Sequence, residues 1–245
     1  MAGRATDAGA MKDGLWLEDT SFRYGDLWVL RETELHVPPG RTLIVTGDNG
    51  VGKSTLLYVC AGLLPASAGH VWLDGHLAAG KKPSELMREG VRRGFLFGQG
   101  GLLSNLSALG NVTLGLRYHA DVFGIDDKEL DARAREALAQ LRVAQSDFHA
   151  LPAHLSLGVR KRVALARALA LDPNFVFLDD PDGGLDSGTR QLVYERLERF
   201  RDDSKITVVI ATNSRQLIDR LGIHPMELAH GHLLPEDDSR RSKRA

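Results

Sequence analysis

An α/β fold built on a mostly parallel, doubly wound sheet is what this sequence predicts, on three observations. The first is a strand, a glycine loop and a helix in direct succession. Thr42-Leu43-Ile44-Val45 reads as a short buried strand, Gly47-Asp48-Asn49-Gly50-Val51-Gly52-Lys53-Ser54-Thr55 follows, and Ser54 to Ala61 reads as a helix. The second is strand–helix alternation further on, with Phe175-Val176-Phe177-Leu178, a helix from Ser187 to Phe200 and a strand from Ile206 to Ala211. Wholly apolar strands separated by helices suit a parallel sheet covered on both faces. The third is the stretch from Leu15 to Leu43, where apolar residues alternate around the turn Tyr24-Gly25-Asp26. It predicts antiparallel strands leading into the glycine-loop strand.

The remaining elements follow in order. Gly62 and Pro65 suit the end of the first helix. Val71 to Gly75 reads as a strand and turn, and Gly94-Phe95-Leu96-Phe97 as a short strand, followed by a Gly/Leu/Ser loop from Gly98 to Ser107. From Lys128 to Arg142, Leu130, Ala134, Ala137, Leu138 and Leu141 share one helical face. A second helical run, Ser156 to Leu171, stops at Asp172-Pro173. Taken together, Pro83 to Leu155 reads as a helical insertion (about 83–160 with the start of the next helix), inside a single domain spanning 15–238.

Composition sets limits. The chain has 245 residues, 43% hydrophobic and 26% charged, with a formal net charge of -1. That balance carries no nucleic-acid footprint, and no apolar run is long enough to cross a bilayer. Residues 1–14 lack the apolar stretch of a signal peptide and are expected to form a disordered leader, with Met11 an alternative start. The tail from Ser239 to Ala245 carries Arg240, Arg241, Lys243 and Arg244; it reads as a solvated segment that an anionic membrane would attract. The single cysteine, Cys60, sits among apolar helix neighbours and reads as packing, which fits a reducing compartment.

The chemistry concentrates in two places. Gly47 to Thr55 matches G-x-x-x-x-G-K-[ST], whose glycines let successive N–H groups converge on phosphate oxygens at a helix N-terminus. Lys53 would reach the terminal phosphates and Ser54 would ligate Mg²⁺. Four apolar residues ending in Asp179 form the second half of a nucleotide site, whose carboxylate would hold Mg²⁺ through its water shell.

Between these lies Leu155-Ser156-Leu157-Gly158-Val159-Arg160-Lys161-Arg162-Val163-Ala164-Leu165-Ala166-Arg167, followed downstream by Gly184-Leu185-Asp186-Ser187. With Tyr24 ahead of the phosphate loop, this order resembles the ATP-binding subunits of ABC transporters, within the P-loop NTPases. The resemblance implies an antiparallel β subdomain beside the parallel core, ATP and Mg²⁺ as ligands, and a head-to-tail dimer. Tyr24 would stack on adenine. Ser156, Gly158 and Asp186 would face the nucleotide held by a second subunit, identical or not. A membrane permease would dock near Gly98 to Ser107, placing the chain on the cytoplasmic face of the cell membrane. Two stretches, Leu96 to Leu103 with Asn111-Val112 and Leu116-Arg117, and Leu151 to Arg167, look most like Mla-type phospholipid transporter ATPases. These imply an MCE-domain lipid-binding protein as a further partner and no nucleic-acid partner.

Four positions depart from that pattern, all at the γ-phosphate end. Asp180 stands where the family carries a glutamate as general base. Asn213, in Ala211-Thr212-Asn213-Ser214, stands at the switch histidine. Gly98 takes the position of the Q-loop glutamine, with Gln99 one residue late. Leu157 replaces the first signature glycine. A shorter base and a bulkier signature predict tight nucleotide binding with slow hydrolysis. Three readings stand: a transport ATPase with Asp180 as a weaker base, a binding subunit of such a transporter with very slow turnover, and an ABC-type protein acting on ribosomes or DNA. The last usually needs two fused cassettes or long coiled coils, which this chain lacks.

Overall fold

The computed structural model of the chain describes residues 12–235. It opens with two antiparallel strands, β1 (Leu15–Tyr24) and β2 (Leu27–Val37), joined at Gly25-Asp26. Next come β3 (Thr42–Thr46) and α1 (Lys53–Cys60), then β4 (Ala68–Leu73), β5 (His76–Leu77), α2 (Pro83–Arg88) and β6 (Arg93–Leu96). Three helices follow: α3 (Ala108–Tyr118), α4 (Ala120–Phe123) and α5 (Asp127–Gln140). The rest alternates: α6 (Leu157–Leu169), β7 (Phe175–Asp179), α7 (Ser187–Asp202), β8 (Thr207–Ala211), α8 (Arg215–Leu221), β9 (Met226–Ala229) and β10 (His232–Pro235).

The strands form two sheets. An antiparallel one runs β2-β1-β4-β5, and a mostly parallel one runs β10-β9-β3-β8-β7-β6, with β10 alone antiparallel. Alternation along β7 explains why the sequence reads as one apolar run. Val176 and Leu178 face a core shared with α3, α5, α6 and α7. Phe175 and Phe177 face the opposite core, which contains Leu56 and Leu57 of α1 and Leu15 and Leu17 of β1. A strand covered on both sides has no polar face to show. Cys60 is wholly buried in that second core, and burial pushes its thiol up to about 12, as expected of a packing residue.

Two expectations need correction. Residues 83–155 are not a purely helical insertion, because β6 pairs in parallel with β7 from Arg93↔Phe175 to Leu96↔Leu178 and closes one edge of the main sheet. The helical layer is α3 to α5. The expected free leader 1–14 is too long as well. Gly14 N–H donates to Asp74 Oδ1 at 2.8 Å, and Lys12 hydrogen-bonds Glu18 and lies over the Trp72 ring, so residues 12–14 are tied to the antiparallel sheet. The remainder of that leader and the basic tail lie outside the described residues.

Candidate functional site

Parallel strands deliver their following loops to one edge of the sheet, and ligands of such folds bind there. Here β3, β6, β7 and β8 end together. The loops after them line a cleft of about 630 Å³ that holds Asn49, Gly50, Gly52, Lys53, Ser54, Thr55, Tyr58, Phe97, Gly98, Gln99, Asp179, Asp180, Thr212 and Asn213. Its volume suits a small-molecule ligand.

The glycine loop is held by backbone conformation. Gly47 and Gly52 have φ of 144° and 111°, and Gly50 has φ of 81°. A Cβ at Gly52 would overlap the Val29 side chain, and one at Gly47 would crowd the Leu228 carbonyl at 2.5 Å, so both positions demand glycine. Gly52 is also the N-cap of α1 and supplies no side-chain cap. The first helical N–H groups therefore remain open to an anion. Lys53 Nζ folds back over the loop and donates to the carbonyls of Gly47 (2.7 Å) and Asp48 (3.0 Å). Asn213 Oδ1 accepts from Gly47 N–H at 3.2 Å, and its Nδ2 donates to Asn49 Oδ1 at 3.4 Å. The residue at the expected switch position thus touches the glycine loop directly.

Asp179 ends β7 beside Ala211 of β8. Gly98 abuts it, since a Cβ there would lie 3.4 Å from Asp179 Oδ2. Gln99 is exposed on the same wall. Asp180 is a non-glycine residue at φ 45°. Its N–H donates to Ala211 O (2.9 Å), and its carbonyl accepts from Lys161 Nζ (2.6 Å) and Gly183 N–H (3.3 Å). The Asp180 carboxylate lies flat against Gly183, where any Cβ would collide with it. Burial pushes the Asp180 carboxyl above the usual carboxylate range, and the Lys161 ammonium partly opposes that. Tyr58 flanks the cleft against Phe95 and Phe97, its phenol raised by burial and by the Asp179 charge.

Not every expected residue joins the cleft. Tyr24 is 51% exposed, edge-on to Phe22 at 4.9 Å, and does not line it. Val51 lines a neighbouring depression with Trp28 and His230, and Asp48 is an exposed residue of the loop itself. Ser156, Gly158 and Asp186 form a second cluster. Ser156 caps α6 by accepting from Val159 N–H at 3.3 Å, and Asp186 caps α7 by accepting from Thr189 N–H (3.0 Å) and its hydroxyl (2.8 Å). Gly158 fits closely between Asp186 and Thr189, and Leu157, 41% exposed, packs over Gly184.

Sequence reasoning passed over two participants. Lys161 was legible only as part of a basic run, yet it is 3% exposed. Asp182 is 4% exposed and accepts a 2.6 Å bond from the buried Tyr194 hydroxyl. Only the loop after β7 brings these groups together.

Residues 30–183 match the family model for "ABC transporter". Among curated proteins, the sulfate/thiosulfate import ATP-binding protein CysA 1 of Chromobacterium violaceum is 35% identical over 202 residues, covering 82% of this chain and 54% of that protein. The taurine import ATP-binding protein TauB of Pseudomonas aeruginosa is 41% identical over 163 residues, covering 66% and 57%. The lipoprotein-releasing system ATP-binding protein LolD 2 of Caulobacter vibrioides is 37% identical over 215 residues, covering 85% and 90%. The chain therefore spans little more than half the length of the CysA and TauB proteins it matches. Among solved structures, a dimer of the ATP-binding cassette MJ0796 in a post-hydrolysis state with ADP and Pi superposes with a TM-score of 0.80 at 27% identity, covering 91% of this chain and 97% of that one. A loop of the right pattern, a carboxylate pair and these similarities lead to one assignment: the chain belongs to the ABC transporter family, as an ATP-binding cassette.

Proposed function

We propose that the chain is the ATP-binding and ATP-hydrolysing subunit of a membrane transporter, working as one half of a head-to-tail pair. The observation that carries this is the meeting of the glycine loop, Asp179, Asp180 and Asn213 in one cleft at the strand ends. The residues fit a magnesium nucleotide. The uncapped N–H groups in the first turn of α1 suit phosphate oxygens, and the Ser54 hydroxyl with the Asp179 carboxylate suits a hard cation that keeps part of its water. Magnesium, when bound, offsets phosphate charge and orients the transferred group. Lys53 would exchange its two carbonyl partners for phosphate oxygens. Asn213 would hold the glycine loop and donate toward the terminal phosphate. Asp180 would take a proton from the attacking water, with Gln99 helping to place that water and the metal. Tyr24 would stack on the base.

The pair is supported by the separation of two clusters within one chain. Ser156, Gly158 and Asp186 stand apart from the cleft and gain a nucleotide only from a second subunit. The MJ0796 cassettes are themselves dimeric. A membrane permease would take up the loop from Gly98 to Ser107, and the chain would lie on the cytoplasmic face of the membrane. No helix among the described residues is long and apolar enough to cross one. For cargo we favour a lipid or lipid-bearing substrate. The LolD 2 relative, matched over 90% of its length, supports that class. The narrower phospholipid reading, with an MCE-domain partner, rests on the stretches Leu96–Leu103 and Leu151–Arg167 alone.

A second reading, a nucleotide-binding subunit with very slow turnover, is favoured by one observation. The short Asp180 carboxylate is laid against Gly183. A steady-state ATPase assay on the purified protein with its permease separates the two. Brisk turnover that Lys53→Ala removes supports the enzyme. A background rate that rises in the double variant Asp180→Glu, Asn213→His supports the binding subunit.

A further inference from the structure

The buried ammonium of Lys161 takes no part in the mechanism above. It sits in the first turns of α6, the helix capped by Ser156, and is the one charged side chain among the buried residues of that helix. Desolvating an ammonium is costly. Among the described residues no carboxylate lies within 4.0 Å to pair with it, and its one hydrogen bond goes to the main-chain carbonyl of Asp180 at 2.6 Å. The charges of Asp180, Asp182 and Asp179 act on it only through space.

What that bond holds is unusual. Asp180 sits at φ 45°, a region costly for a non-glycine residue unless the surroundings impose it. Ala211 O takes the Asp180 N–H, and Lys161 and Gly183 N–H share its carbonyl. Both peptide groups flanking Asp180 are therefore fixed, and its carboxylate lies against Gly183. One helical turn away, Leu157 packs over Gly184, so the i and i+4 positions of α6 grip the two ends of the 180–184 loop.

We propose that Lys161 is a positioning residue. From the helix that carries Ser156 it pins the Asp180 peptide, and so links the cluster offered to a second subunit with the general-base loop of its own cleft. Movement of α6 in one subunit is thereby felt at Asp180 of the same subunit. This rests on Asp180 acting on the attacking water.

The test uses the full-length chain with its permease, Lys161→Met to remove the donor at similar length, and Lys161→Gln to restore a donor without charge. Three quantities are read: MgATP affinity, steady-state kcat, and amide hydrogen exchange over residues 179–186. The expected result for Lys161→Met is MgATP affinity within about twofold of the parent, kcat lower by about tenfold or more, and faster exchange confined to 179–186. Lys161→Gln recovers both kcat and exchange in part. Unchanged kcat and exchange in Lys161→Met would overturn the proposal. So would loss of affinity, kcat and thermal stability together without recovery in Lys161→Gln, which marks a purely structural lysine. Should the parent itself show no turnover, the reading of Asp180 as a base fails on its own. The exchange pattern then still decides whether Lys161 holds the loop.

Discussion

The glycine loop and the loop from Asp180 to Asp186 border the same chemistry but are built in opposite ways. The first takes its shape from backbone freedom, with three glycines at positive φ and an uncapped helix N-terminus after them. The second is shaped by side chains reaching in from elsewhere: Lys161 onto the Asp180 carbonyl, Leu157 onto Gly184, and Tyr194 onto Asp182. A backbone-built site depends on few side-chain identities, so it stays intact if its glycines and lysine do. A side-chain-built loop registers every substitution around it.

The largest expected effect breaks the glycine loop. Lys53→Ala should lower MgATP turnover by about 10²-fold or more, since it removes a charge aimed at the developing phosphate charge; retained turnover in a steady-state assay would show that the cleft is not the reaction site. Next, Asp180→Glu should raise kcat by about tenfold by extending the base toward water, with MgATP affinity unchanged. A fall in kcat would mean the Gly183 shelf, rather than carboxylate reach, sets the rate. A smaller effect probes the second loop's stability. Tyr194→Phe leaves the buried Asp182 carboxylate without its hydroxyl donor and should cost about 1–3 kcal/mol in urea unfolding, whereas no change in midpoint would remove Asp182 from the account of the loop.

The smallest effect is one of pH. Burial holds the Asp180 carboxyl above its ordinary value of 3.8, so the folded state binds that proton more tightly than the unfolded state. The resulting stability is fully present below pH 3.8 and is lost as pH rises through the folded-state value. Asp180→Asn should therefore gain stability relative to the parent on going from acid toward neutral pH, read as the difference in melting temperature across a pH series. A difference that shrinks instead would mean the Lys161 charge outweighs burial.

Much of the fold was legible because the sequence carries local signals at strength. The phosphate pattern and the apolar strands at 175–178 and 206–211 each rest on short-range chemistry. The place of β6 was not, because a four-residue strand gains its standing only from parallel pairing with β7, some eighty residues on in the chain. Asn213 was named from its position. That it grips both Gly47 and Asn49 follows only from β8 lying between β3 and β7.

By itself, then, the amino-acid order determined the fold class and a phosphate-binding loop, since both depend on backbone preference and on periodicity within a few residues. The tertiary structure alone decided that the Asp180 carboxylate lies against Gly183 and that a lysine of α6 holds the Asp180 carbonyl. Those outcomes depend on contacts between distant segments, and on which charges the packed core leaves with a single partner.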